Sequence, residues 1–291
     1  MILTLPLFLQ AFMDGLIMGG IYALVAIGLT LIFGVMEIVN FTQGDFLMIA
    51  MYTSFFLHLL LKLDPYLSIF ISTPLLFIFG IIIYRIFIRP IVTSILNGAL
   101  VTIGLSLIFQ NSALLLFSAD YRLLEVSYSS VKITLGPVVI GIQYLIAFVI
   151  CFTMTISLYK LLQSTRLGLF IKAAAEDRVA AMLVGVNVEK VYMYSFAIGV
   201  ASLGIVGPLL APIYYTTPTI GTLFNIKAFV IVVLGGMGSI IGAMIGGLTI
   251  GVVETIGSVF LPGSLSPLIS FVAFIIILLF KPKGLFGERQ I

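Results

Sequence analysis

Charge is what this sequence has least of. Only 9% of its 291 residues are Asp, Glu, Lys or Arg, where a soluble domain carries about 25%. With 62% hydrophobic residues and a mean hydropathy of +1.30, too little polar surface remains to cover a water-soluble core. The single cysteine, Cys151, lies in an apolar run and excludes an intrachain disulfide or a cysteine metal site. The single histidine, His58, excludes a multi-histidine site. No Lys or Arg stands ahead of the first apolar run, MILTLPLFLQAFMDG, so the charged start of a signal peptide is missing and the first helix is expected to be retained. No GxxxxGK[ST] phosphate loop occurs, and no carboxylate series runs through successive apolar segments as a proton relay would need. A paired-carboxylate, histidine-cluster or nucleophile motif for enzyme chemistry is absent as well. The net charge of +3 carries no argument for nucleic acid, because in such a chain the distribution of Lys and Arg matters more.

What is present is apolar sequence in span-length pieces. A helix crossing about 30 Å of hydrocarbon needs about 20 apolar residues. Runs at 12–35, 45–61, 66–86, 96–118, 138–161, 190–212, 225–257 and 266–280 meet that need. The expectation is an all-α polytopic integral membrane protein, one domain over residues 1–291, with about eight spans. Residues 225–257 are too long for one upright helix and are interrupted at Gly235-Gly236-Met237-Gly238-Ser239. They are expected to form two segments or a re-entrant hairpin, with irregular backbone sheltered by protein or a watery cavity.

Lys and Arg gather in three places: Arg85 and Arg89; Lys160, Arg166, Lys172, Arg178 and Lys190; and Lys281, Lys283 and Arg289. The positive-inside tendency places these clusters, and with them the 163–189 loop and the C-terminus, in the cytoplasm. Lys62, Arg122, Lys132 and Lys227 are assigned to the remaining loops. The loop 119–137 is either a lid or an ordinary connector.

Two polar interruptions carry the argument for a pathway. Asn40-Phe41-Thr42-Gln43-Gly44-Asp45 and Gly235-Gly236-Met237-Gly238-Ser239 each follow an apolar run and open a further helix. A helix that begins inside a membrane presents unpaired N–H groups and a positive dipole end, which can receive a polar part of a substrate. Stripes of small residues accompany them: Gly15, Gly19 and Ala23; Gly238, Gly242 and Gly246; Ala243, Gly247 and Gly251. Such stripes let helices approach closely. Glu254 lies deep in GGLTIGVVETIGSVF with no cation near it in sequence, and is either a pathway or inter-subunit contact or a helix-end residue reaching water.

The densest charge stands in RLGLFIKAAAEDRVAAMLVGVN, residues 166–187. Ala174–Leu183 consists of good helix formers, Gly185 suits a left-handed helix end, and Glu176 and Asp177 fall toward the helix start.

Four stretches resemble one family. GGIYALVAIGLTLIFGVMEIVNFTQGDF, the charged loop, AFVIVVLGGMGSIIGAMIGGLTIGVVE and PKGLFG are similar to the permeases of ATP-binding-cassette importers for branched-chain amino acids, of the smaller LivH type. Gln43 stands where that family usually has His, Asp45 where it has Glu, and Lys172 where Arg is frequent. The resemblance implies a permease subunit that binds no cofactor. It implies as partners a second, homologous permease, two ATPase subunits carrying ATP and Mg, and an extracytoplasmic binding protein. It implies no catalytic residue. It assigns Arg166, Gly168, Glu176, Asp177, Arg178, Ala180, Ala181 and Gly185 to an ATPase-coupling loop, with Val179 in the place of a usual Glu. The two polar interruptions and Glu254 supply the candidate pathway residues: Asn40, Gln43, Gly44, Asp45, Gly235, Gly236, Gly238, Ser239 and Glu254. Permeases for urea, short amides or other amino acids, and less readily a stand-alone secondary transporter, are the alternatives.

Overall fold

The structure, a computed structural model, describes residues 5–92, 94–260, 266–281 and 284–286. Eleven α-helices and one short hairpin follow in order: α1 (Leu5–Met36), α2 (Gln43–Leu61), α3 (Pro65–Ile83), α4 (Ile95–Phe117), β1 (Lys132–Leu135), β2 (Val138–Gly141), α5 (Ile142–Ser164), α6 (Arg166–Glu176), α7 (Arg178–Leu183), α8 (Val188–Leu210), α9 (Ile220–Gly235), α10 (Ile240–Ser258) and α11 (Ser266–Phe280). Seven of these pieces are long and apolar enough to cross a membrane, with α9 and α11 shorter. The chain is a multi-pass membrane protein, and a helix is the form that satisfies its backbone there without water.

Most expected spans coincide with helices. The run beginning at 138 is corrected at its start, because 138–141 pairs antiparallel with 132–135 and the helix opens only at Ile142. The loop 119–137 is tied down by backbone bonds from Arg122 to Thr216 and by the Leu124 N–H donating to the Ala211 carbonyl.

The helices α1 and α8 are buried along most of their length, and the rest of the bundle forms around them. They run antiparallel and touch at Gly28 and Gly199, where a Cβ on either glycine would lie within 2.6 Å of the other's carbonyl oxygen. The small-residue stripes are filled by packing. Gly15 and Gly19 meet the backbone of 247–252 on α10, Gly247 meets Ala23, and Gly242 and Gly246 face Gly235 and Ile231 on α9. The exchange is reciprocal, since α10 lies on α1 while α3 lies on α8 through Gly80 and Gly204.

The bundle has two ends. One carries the β-hairpin, the start of α1 (Gln10 bonds Val139) and the 211–216 segment. The other carries α6, α7, the irregular helical segment 84–91 that continues α3 (Arg89 pairs with Glu189 at 2.9 Å) and residues 284–286. Arg85, Arg89, Lys160, Arg166, Lys172, Arg178, Lys190 and Lys281 lie at this second end; Lys62, Arg122 and Lys132 lie at the hairpin end. Lys283 and Arg289 fall outside the described residues.

Candidate functional site

The sequence places the first break at Asn40–Asp45, and the structure keeps it there. Glu37 takes a left-handed conformation (φ 55°) and its N–H closes on the Phe33 carbonyl, which ends α1. The chain then turns back along α1 before α2 begins. Gln43 Nε2 donates to the Val25 carbonyl at 3.3 Å, about 16 Å of helix short of the α1 end. The first turn of α2 therefore lies in the middle of the bundle. Asn40 organises the entry: its Oδ1 accepts from the Thr42 N–H at 3.2 Å and its Nδ2 donates to Gln43 Oε1 at 3.2 Å. Thr102 on α4 accepts from the Phe41 N–H at 3.2 Å and donates to Val39 at 3.1 Å.

The partner of this break is not the glycine-rich one. The turn 236–239 lies at the α6–α7 end, where Gly34 of α1 touches Gly238 and the N–H groups of Leu285 and Phe286 bond the carbonyls of Leu234 and Gly235. Gly236 and Gly238 hold positive φ (101° and 86°), and Ser239 caps α10 by accepting from the Gly242 N–H. Gly235 packs on Gly242, where a Cβ would lie 2.3 Å from the Gly242 carbonyl carbon. So 225–257 is a helical hairpin, α9 and α10, with its bend at the bundle end and not a helix start at mid-depth. The second mid-depth start is at Ile220, after the chain has turned inward again from α8. Gly44 and Gly221 meet there, with a Cβ on Gly221 falling 2.7 Å from the Gly44 oxygen. Residue size decides this junction, since no side chain fits between the two backbones. Pro218 with Thr216, Thr217 and Thr219, lying between the runs read as spans at 190–212 and 225–257, was the sequence signal. Both α2 and α9 lack a side-chain N-cap, as does α5 after Gly141, whereas α3, α4, α6, α7, α8 and α10 each have one.

Around the junction the polar groups interlock. Asn225 Nδ2 donates to the Phe41 carbonyl. Gln110 Nε2 on α4 reaches Asp45 Oδ1 at 2.9 Å, Ser106 Oγ at 3.0 Å and Thr222 Oγ1 at 3.4 Å. Asp45 itself is buried.

Glu254 has a partner that sequence reasoning missed. Lys227, assigned above to a loop, lies in α9 and is buried. Its Nζ donates to Glu254 Oε1 and Oε2 at 2.7 and 2.9 Å and to the Tyr22 hydroxyl at 2.6 Å, and stands 4.3 Å from the Tyr22 ring centre. The signal was a lone cation and a lone anion on either side of the glycine break within the apolar run 225–257. Each is too costly to bury alone and is tolerable as a pair with a third polar group.

The charged loop folds as two helices where one was expected over 174–183. Thr165 caps α6 by accepting from the Gly168 N–H at 3.1 Å. Gly168 lies against the backbone of Leu162, where a Cβ would be 2.2 Å from its oxygen, so the tight bend from α5 into α6 depends on glycine. Asp177 interrupts: its backbone is extended, and its Oδ1 accepts from the Val179 and Ala180 N–H groups at 2.8 and 3.0 Å. Asp177 therefore opens α7, while Glu176 closes α6. Gly185 (φ 86°) ends α7 as expected, its N–H closing on Met182 and that of Val186 on Ala181. Ala181 faces inward, whereas Ala180, Val179, Leu183 and Val184 are exposed. The Arg178 guanidinium lies 5.7 Å from the Tyr192 ring centre. An open cavity of about 480 Å³ separates α7 from the segment 84–91 after α3, lined by Tyr84, Arg89, Arg178, Met182 and Tyr192 among others.

A bundle of span-length helices with two of them starting at mid-depth, and a compact charged helical pair at one end, has the architecture of a membrane transport permease. Residues 11–278 match the family model described as branched-chain amino acid transport system / permease component, and the chain belongs to that family. It is 33% identical to the high-affinity branched-chain amino acid transport system permease protein LivH of Salmonella typhimurium, over 98% of this chain and 97% of that protein. It is 32% identical to the corresponding protein BraD of Pseudomonas aeruginosa over the same shares. It is 29% identical to a probable branched-chain amino acid permease, LivH, of Methanocaldococcus jannaschii, over 94% of this chain and 90% of that one. No solved structure matches the chain significantly. As a permease component of a transport system, the chain works with other subunits and is not itself an enzyme.

Proposed function

We propose that this chain forms one half of the translocation pathway of a binding-protein-dependent importer for leucine, isoleucine and valine. ATP and Mg act on two partner ATPase subunits, a second homologous permease completes the pathway, and an extracytoplasmic binding protein delivers the substrate. Supporting the reading is the junction of α2 and α9: two uncapped helix starts meet inside the bundle, each reached by chain that turns back from an opposite end. Backbone of that kind persists at membrane depth only beside protein or a wet cavity.

The α6–α7 end is read as cytoplasmic because most of the Lys and Arg gather there. The exposed Val179, Leu183 and Val184 then form an apolar surface for the ATPase, next to the exposed Glu176 and Arg178 in sequence. Asp177 and Gly185 set the two ends of α7, while Gly168 and Ala181 hold the pair against the bundle. Movement of this pair on ATP binding would be passed to α8 and α3 through the Arg178–Tyr192 and Arg89–Glu189 contacts.

The test is uptake into proteoliposomes holding the complete transporter. Labelled leucine should enter only with ATP on the ATPase side and binding protein on the other. Uptake by this chain alone, without ATP, would establish the stand-alone transporter instead. Preference for urea or short amides over leucine would reassign the substrate and leave the mechanism.

A further inference from the structure

The polar face beside the α2–α9 junction has chemistry that packing does not use. Asp45 is 1% exposed. Its Oδ1 accepts from Gln110, but its Oδ2 is buried with no hydrogen-bond partner among the described residues. No Lys, Arg or His among those residues lies within 4.0 Å of it. A buried carboxylate without a cation is expensive, and a removed or absent counter-charge costs far more than a weak hydrogen bond recovers. The α2 dipole offsets part of this, because Asp45 lies in the first turn.

The group covering Asp45 is movable. Gln110 is half-buried, and its amide divides two N–H groups among Asp45, Ser106 and Thr222. Thr219 and Thr222 are exposed, and Ser106 and Asn225 are partly so. Lipid cannot satisfy such a row of polar groups at mid-depth, so this face lines a wet pathway or another subunit.

We propose that Asp45 is the acceptor for the α-ammonium of the transported amino acid, with the Gln110 amide standing in for it when no substrate is present. This rests on the importer reading given above. An ammonium brings three donors and a charge, so it satisfies both Asp45 oxygens where the neutral amide satisfies one. Gln110 then turns to Ser106 and Thr222, which already accept from it. The step is an exchange of hydrogen bonds, and no covalent bond changes.

The test uses the complete transporter in proteoliposomes with its binding protein, reading leucine uptake and ATPase activity together. Asp45→Asn keeps the shape and removes the charge. It should lower uptake by about tenfold or more, as loss of a charge-assisted bond does, while ATPase stimulated by the binding protein persists. Asp45→Glu should retain most of the uptake. Gln110→Lys, at a half-buried position, places a tethered ammonium against Asp45 and should block uptake in an assembled complex; it decides the matter if Asp45→Asn does not assemble. Undiminished uptake by Asp45→Asn or by Gln110→Lys overturns the site alone. No leucine uptake by the unaltered complex overturns the importer reading, and the site with it.

Discussion

Replacing Lys227 with Met isolates the energetics of the one buried ion pair among the described residues. Methionine fills the aliphatic stem of the lysine but leaves Glu254, whose side chain is 13% exposed, without its cation. Breaking a buried pair by removing one partner costs about 3–5 kcal/mol. The Tyr22 hydroxyl, which now accepts from Lys227, can rotate to donate to Glu254, so the lower half of that range applies. A chain of this size loses roughly 2 °C of midpoint per kcal/mol, so the purified protein in detergent should melt roughly 6–8 °C earlier. The double variant Lys227→Met/Glu254→Gln removes both charges, and it should recover most of that loss, to within about 1 kcal/mol of the parent. Thermal unfolding of the single and double variants, followed side by side, is the assay. A double variant no more stable than Lys227→Met would refute the reasoning, since it would show that the loss came from packing around α9 rather than from a stranded carboxylate.

Other outcomes follow from close contacts. Gly221→Ala and Gly44→Ala each put a methyl group into the facing backbone; both should abolish transport and reduce assembled protein, and normal uptake by either would remove the junction from the argument. Asp177→Ala deletes the cap of α7 and should cost about 1 kcal/mol locally. The expected result is unchanged insertion with weakened coupling, read as ATPase activity per leucine imported. Gly185→Glu, which forces an L side chain to φ 86°, should have a similar effect. With the buried Cys151 changed to Ser, single cysteines at Val184 and Tyr121, both exposed, should react with an impermeant thiol reagent from opposite faces of the membrane. Labelling from the same face would contradict the arrangement of the two ends.

Most of the places where the sequence reading missed depend on distant segments meeting. Apolar runs mark spans because a bilayer demands about 20 apolar residues whatever the neighbours are, and most spans read that way coincide with helices. The second helix start could not be found that way. Gly235–Ser239 looks more broken than 211–220, yet its glycines make an ordinary turn at a bundle end, while the Thr- and Pro-rich segment carries the chain inward. Lys227 looked like a loop residue because charge is usually solvated, and only the approach of α9 to α10 and α1 brings it onto Glu254 and Tyr22. In the charged loop, the helix-forming residues around Asp177 gave no sign that its side chain would compete for the next two N–H groups and split the helix.

By itself, then, the sequence determined what is local or compositional. It set the membrane solvent, the approximate spans, the asymmetry of Lys and Arg, the end of α7 at Gly185, and the family. The tertiary structure decided what depends on two distant segments meeting: which break lies at mid-depth, which lone charges pair, and which small-residue stripe faces which helix. Depth is not written in any run of residues, because it is measured against a neighbouring helix. For the start of α2 that neighbour is α1, and the contact that fixes the depth is the bond from Gln43 to the carbonyl of Val25.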